Sequence, residues 1–401
     1  MPHPTISYHP SFLPLLLLIL PTLTPSANAT PTPQLPTLPD NVTHLPPYIS
    51  PDDDSDRLIP AQMADGSTGA ISAMEAQLCA TGPPSNIFRS IHANLSSLRG
   101  AEKKGAADAS DKLKRMFPKL APRAATGLKL TANGTALTVD RAASASASAS
   151  AATATPVQVD TYFHLVVTRD HSKGYTLAVR NAMFANQAKA LHDAYTPYNI
   201  NFTLHPPTYN IRDDWATDAA STDMKTALRQ GTYGALNIYF QSNLSSDGGG
   251  ATLLGYCTLP TKMTYAYQGT EYEYPASDYS TDGCNILAGS MPGSPQAIIG
   301  YNEGKTAVHE VGHWFGLLHT FQDNSCETGD PGDYIEDTAQ EATSTVGCPV
   351  GKPGKSSCGR VGVGDPIHNY MDYSDDACYT SFTSDQTQRM HDMWTLYRSG
   401  M

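Results

Sequence analysis

The string His-Glu-Val-Gly-His-Trp-Phe-Gly-Leu-Leu-His, residues 309–319, constrains this chain more than any other feature. It fits HExxHxxGxxH at every fixed position. On a helix, His309 and His313 stand four residues apart, so both imidazoles leave the same face. Glu310 lies beside them, within reach of a water on a shared metal ion. Gly316 lets the chain turn sharply off the helix, because glycine tolerates backbone angles that other residues resist. The turn returns His319 as a third nitrogen ligand. Three nitrogens leave one zinc position open, which is the pattern of a catalytic rather than a structural site. The alternative is an ordinary helix with three unrelated histidines.

Downstream the chain reads His368-Asn369-Tyr370-Met371-Asp372-Tyr373. Alone, Met371 reads as a core residue in a loop. After an extended zinc motif it reads as a soft, adaptable floor under the imidazoles. The run from His309 through His319-Thr-Phe-Gln, followed by Asp365 through Met371 to Cys378, resembles the pappalysin family of metzincins. Within that family it is most similar to the secreted extracellular metalloproteases of fungi and bacteria. The resemblance covers most of residues 157–401 and is strong over 303–398. It says little about residues 30–156.

That resemblance implies a fold and a set of roles. The fold is α/β (α+β) and metzincin-type: a twisted, mostly parallel sheet with two long helices over a loop-rich C-terminal subdomain, preceded by a pro-segment. Zinc lies in a cleft between an upper and a lower subdomain. Met371 carries the Met-turn. Tyr373 donates a hydrogen bond to the oxyanion or acts as a loose fourth ligand, with plain packing as the alternative. Asp333, Asp337 and Thr338 belong to a calcium loop, or to a solvated acidic loop. Residues 323–341 hold seven acids and no Lys or Arg, and seven like charges repel unless solvated or metal-bound. Asp372, Asp375 and Asp376 border the primary specificity pocket, where negative charge favours Arg or Lys after the scissile bond.

Cysteine pairing cannot be read from spacing. The family pattern implies Cys326–Cys358 and Cys348–Cys378, and leaves Cys257 and Cys284 as a third pair. Cys79 is then unpaired. A thiolate is a strong zinc ligand, so Cys79 is a candidate latency switch that fills the open position in a precursor. A free or intermolecular cysteine is the alternative.

Composition fits secretion. Charged residues are 16% of the chain and the formal net charge is −12, which disfavours nucleic acid or an anionic membrane as partner. The charge is uneven: residues 157–401 carry 27 acidic and 14 basic side chains, residues 1–156 carry 11 and 12. The basic stretch 98–141 suggests electrostatic docking of a pro-segment on an acidic catalytic domain. Phe12 to Leu20 is apolar and Ala27-Asn28-Ala29 is a small-residue cleavage pattern, so residues 1–29 read as a signal peptide, although residues 1–11 lack Lys and Arg. No other run approaches the ~20 apolar residues of a membrane helix, and no membrane anchor is expected. Seven cysteines and sequons at Asn41, Asn94, Asn133, Asn201 and Asn243 suit an oxidising, secretory route to a glycoprotein.

The chain divides by composition. Residues 30–141 form a pro-segment or N-terminal region, with helical pattern at Ile71–Leu78 and Ile87–Leu98. Residues 142–156 are an Ala/Ser-rich linker with too little apolar surface to order itself. Residues 157–401 form the catalytic domain. Hydrophobic period predicts strands at Val157–Thr168, Ile200–Leu204 and Leu236–Phe240. It predicts helices at Thr176–Ala194, Thr222–Arg229, Glu303–Leu318 and Ser384–Arg398. His164, His391, His368, Trp314 and Phe315 are expected to be structural.

The expected chemistry is peptide hydrolysis by a zinc endopeptidase. Zinc lowers the pKa of a bound water to about 7 and polarises the scissile carbonyl. Glu310 accepts the water's proton and passes it to the leaving amine. The expected partners are protein or peptide substrates, and the protein is expected to be a monomer. Two other classes stand against this. A catalytically idle zinc-containing surface-binding module has no need of Glu310. A structural cell-wall glycoprotein usually carries long repeats or an anchor.

Overall fold

The computed structural model describes residues 77–79, 81, 84–106, 108–120, 155–245, 253–261, 264–267, 270–273, 276–324, 326–351, 354–359 and 363–401. The expected signal peptide, nearly all of the linker, Asn41 and Asn133 lie outside the described residues.

Strand β2, Val157–Val167, alternates buried and exposed positions at its start, then is buried on both faces. That pattern belongs to a strand that begins half-covered and runs into the centre of a sheet. It pairs in parallel with β3 (Ile200–Leu204), β4 (Thr208–Ile211) and β5 (Leu236–Gln241). β5 pairs in parallel with β9 (Cys284–Leu287), and β9 pairs antiparallel with β6 (Leu253–Cys257). Beyond β6 the three-residue strand β1, Gln77–Cys79, is added in parallel from far upstream. The main path of this mixed, mostly parallel sheet runs β1-β6-β9-β5-β2-β3. A separate hairpin joins β7 (Thr264–Tyr267) to β8 (Thr270–Glu273).

Helix α1 covers Asn86–Lys103, capped by the Ser85 hydroxyl, and α2 covers Ala109–Met116. Helix α3, Leu177–Tyr195, starts at a Thr176 cap and buries Met183, Phe184, Leu191 and Tyr195 against the sheet. Short helices α4 (Asp213–Ala216) and α5 (Ser221–Leu228) bring Trp215, Ala216 and Met224 onto Val166 and Tyr239. Helix α6, Lys305–Trp314, is buried from Thr306 to Trp314. The last helix, α7 (Ser384–Met393), begins with a reciprocal capping box between Thr383 and Gln386, then loosens into a π-helical turn over Trp394–Arg398.

Residues 84–120 do not stand apart. Phe88, Leu95, Leu98, Leu113 and Leu120 share one buried cluster with Tyr233, Leu318, Met393 and Tyr397. Ion pairs ring it: Arg99 with Asp392 at 2.6 Å, Arg89 with Asp323 at 2.5 Å, and Lys103 with Asp385.

Three expected elements change. Of Ile71–Leu78, Gln77 and Leu78 are strand rather than helix, because pairing with the edge of β6 outweighs local helical period. The helix expected over Glu303–Leu318 spans only Lys305–Trp314: Gly304, at φ +83°, starts it, and the chain turns at Gly316. The last helix stops being α-helical at Met393. Strands β4, β6 and β9 and the hairpin lay outside the expected set.

Candidate metal centre

Helix α6 presents His309 and His313 on one face, as four-residue spacing requires. Gly316 turns the chain at φ +91°, a conformation a side chain rarely adopts. His319 then swings back. The Nε2 atom of His313 lies 3.2 Å from that of His309 and 3.1 Å from that of His319.

Tautomers decide what these contacts mean. His309 Nδ1 lies 2.7 Å from the Tyr370 carbonyl and His313 Nδ1 lies 2.8 Å from the Leu317 carbonyl. A carbonyl only accepts, so each Nδ1 carries the proton and each Nε2 is left with a bare lone pair. Burial pushes His309 down to about 4 and holds His313 and His319 well below the usual imidazole range. The rings are therefore neutral at pH 7. Lone pairs aimed at one another at these distances repel unless a cation lies between them. Zinc–nitrogen bonds of about 2.0–2.1 Å would set tetrahedral ligands roughly 3.4 Å apart, so the donor set fits zinc.

The floor follows from the same helix. Met371 is fully buried. A Cβ placed on Gly312 would meet its sulfur at 2.5 Å, so only glycine lets the helix settle onto that side chain. The Asn369 amide carbonyl accepts from the Met371 N–H at 2.9 Å and is itself paired with the Gln386 amide.

Glu310 is fully buried. Its Oε2 accepts from the Cys79 thiol and from the Thr81 hydroxyl, both at 3.4 Å, while Oε1 is buried without a partner. Burial raises its carboxyl to about 8, against the lowering effect of the Cys79 and Thr81 hydrogen bonds. Cys79 comes from β1, opposite Gly255 of β6. Its sulfur and the nitrogens of His309, His313 and His319 lie within 4.8 Å of one another, the converging group of metal-ligating side chains found among the described residues. The Thr81 hydroxyl also bonds the N–H of Cys257 at 3.1 Å and its carbonyl at 3.4 Å. Thr81 is a site residue that sequence reasoning missed. It lies beyond the end of β1, and no motif in the sequence marks it.

The Tyr373 ring packs edge-on to His319 at 5.0 Å, and its hydroxyl donates to the Cys79 carbonyl at 3.2 Å. Asp333 is buried and accepts from the Thr338 hydroxyl at 2.8 Å and the Ile335 N–H at 3.0 Å. Burial pushes its carboxyl up to about 7. Asp337 accepts from the Asp385 N–H at 3.0 Å. Among the described residues these acids do not gather a third carboxylate into one cluster. Cys257–Cys284, Cys326–Cys358 and Cys348–Cys378 are bonded, and Cys79 is a buried free thiol.

The three acids expected in the pocket wall differ in exposure, and only Asp375 is half-buried rather than buried. Asp372 and Asp376 are buried and already hydrogen-bonded. Asp372 accepts from the Thr345 N–H at 2.9 Å. Asp376 accepts from the Glu303 N–H at 2.7 Å and the Lys305 N–H at 3.4 Å. It holds the start of α6, where the helix dipole favours a carboxylate.

A helix that aims neutral imidazoles at one point, with a carboxylate between them and a methionine sulfur beneath, is built as a metzincin-type metalloprotease. The peptidase family model described as pregnancy-associated plasma protein-A matches residues 232–395. An extracellular metalloprotease of Aspergillus fumigatus is 36% identical over 346 residues, 80% of this chain and 89% of that protein. One from Neurospora crassa is 43% identical over 244 residues, 61% of this chain and 76% of that protein. Among solved structures, mature mirolysin of Tannerella forsythia, in complex with a cleaved peptide, aligns with a TM-score of 0.46 at 24% identity, over 61% of this chain and 96% of that one. The chain belongs to the pappalysin family of metalloproteases. No helix among the described residues is long and apolar enough to cross a membrane.

Proposed function

We propose that this chain is the latent precursor of a secreted zinc endopeptidase that hydrolyses peptide bonds of extracellular proteins. The observation that carries the reading is the buried Glu310 carboxyl group beside three convergent, neutral imidazoles. His309, His313 and His319 would hold the zinc. Bound zinc supplies Lewis acidity, which eases deprotonation of water and polarises a carbonyl. Glu310 is the general base: it takes a proton from the attacking water and delivers it to the leaving amine. Tyr373 donates its hydroxyl to the developing oxyanion once Cys79 has left.

Residues 1–29 are the signal peptide, 30–141 the pro-segment, 142–156 the linker and 157–401 the catalytic domain of a monomer. Cys79 keeps the precursor latent. In support, its sulfur lies within 4.8 Å of the three nitrogens, and its thiol hydrogen-bonds the carboxyl group that has to act as base. Asp333, Asp337 and Thr338 form a calcium turn, supported by the buried Asp333 carboxylate in an acidic loop.

The test is hydrolysis of casein by the secreted, processed protein, with and without a zinc chelator, beside Glu310→Gln. The expected result is loss with chelator and a fall of about 10²–10⁴-fold in the variant at unchanged zinc content. Full activity in Glu310→Gln would overturn the assignment of the base, and activity indifferent to the chelator would overturn the enzyme class.

A further inference from the structure

We infer that Lys355 is a positioning residue for the third metal ligand: its ammonium joins the loop that holds His319 to the loop that carries Met371. The inference rests on the zinc reading above.

Lys355 stands between two carboxylates that are almost wholly out of solvent. Its Nζ lies 2.5 Å from Glu341 Oε1 and 2.8 Å from Asp365 Oδ2, and it donates as well to the Thr343 carbonyl. An ammonium has three donors, and these three acceptors use them all. The Glu341 side chain is fully buried and that of Asp365 nearly so.

Each carboxylate leads to one half of the metal centre. Glu341 Oε2 accepts from the Thr320 hydroxyl at 2.8 Å, and Thr320 is the residue after His319. The Thr320 N–H in turn donates to the Met371 carbonyl at 3.2 Å. Asp365 accepts from the Ser357 N–H with both oxygens, at 3.0 and 2.9 Å, and it opens the segment that runs to Met371. The Asp365 N–H donates to the Lys355 carbonyl at 2.9 Å, which closes the circuit.

His309 and His313 need no such device, because α6 fixes them. His319 follows the helix in a loop, and the described residues from 319 to 383 contain only short 3-10 turns. Cys326–Cys358 and Cys348–Cys378 tether these loops further from the ligand. The Lys355 cluster reaches within one residue of it. Without the ammonium, buried Glu341 faces Asp372 and has lost its cationic partner. Its hold on Thr320 then loosens, and with it the aim of the His319 ring.

The test is the zinc dissociation constant of the metal-stripped full chain, read by competition with a chromophoric chelator. Lys355→Met is expected to weaken zinc binding about 10–100-fold, the usual effect of removing a group that orients a ligand. Glu341→Gln should move in the same direction, and Lys355→Arg, which keeps the charge but not the compact three-donor head, should recover only part of the lost binding. Val159→Ala, in β2 and remote from these loops, serves as a control for general destabilisation. The cobalt-substituted variants should also show altered absorption bands, a signature of ligand geometry that lower stability alone does not produce. Binding in Lys355→Met and Glu341→Gln within about twofold of wild type would overturn the inference, as would equal weakening in Val159→Ala. If Lys355→Met does not fold, Glu341→Gln and Lys355→Arg decide. Failure of the wild type itself to take up one zinc would instead remove the metal reading on which this one stands.

Discussion

In the proposed mechanism, one sulfur and one phenol separate a latent site from a working one. Cys79 touches Glu310 and faces the histidines, and the Tyr373 hydroxyl is engaged by the Cys79 backbone. Cys79→Ala precursor is expected to hydrolyse casein before any processing, while wild-type precursor does not. A variant as silent as wild type would rule out the thiol as the switch. In the processed enzyme, Tyr373→Phe is expected to lower turnover by about 10²–10³-fold at constant zinc content, the range for one lost oxyanion donor. Unaltered turnover would leave Tyr373 a packing residue. Most of this scale was legible, because a histidine repeat on a helix is local geometry. Thr81 on Glu310 and Asp376 at the start of α6 were not. Those bonds join residues 229 and 73 positions apart, a distance at which spacing carries no information.

Helix α1 is the element whose attachment the charge pattern read only in part. Arg89–Asp323 and Lys103–Asp385 are partly exposed, and such pairs contribute about 0–1 kcal/mol each. Phe88, Leu95, Leu98, Leu113 and Leu120 are buried apolar side chains, worth about 1.5–3 kcal/mol apiece. Apolar burial therefore dominates the docking, with charge steering it. The acidic loop facing α1 carries its own prediction. Selective chelation of calcium, with zinc left in place, is expected to lower the melting temperature and speed autolysis, because the acidic loop then loses the cation that would offset its like charges. A melting curve and autolysis rate that ignore the chelation would dispose of the calcium turn. The helices and central strands were readable from their periods. The short strands β4, β6 and β9 were not, because four or five residues define no period and only neighbouring strands make them strands.

At the scale of the whole molecule, α1 packs through a buried histidine whose neutral form the docked state favours, and a pH-dependent latching of α1 is the expected outcome. His92 is fully buried; its Nδ1 accepts from the Arg389 guanidinium, and its Nε2 has no partner. The Tyr334 ring packs edge-on at 6.0 Å; Asp333, Asp385 and Asp392 offset the Arg389 charge, and Arg99 adds to it. Burial, then Arg389, holds His92 well below the usual imidazole value of 6.5. The released helix binds the proton that the docked helix refuses. Docking is thus full above pH ~6.5 and is lost progressively as the pH falls below it. Release of the N-terminal segment from purified precursor should accelerate between pH 7 and pH 5, and His92→Gln should flatten that dependence. An unchanged profile in the variant would exclude the latch. The sequence by itself determined the family and the convergence of the three histidines, because an eleven-residue string on one helix and turn carries its own geometry. Only the tertiary structure decided that Cys79 and Thr81 meet Glu310, that Asp372 and Asp376 face inward, and that Lys355 joins Glu341 to Asp365. Those contacts join segments far apart in the chain, and they form only when the sheet edge and the disulfide-tied loops close on the same helix.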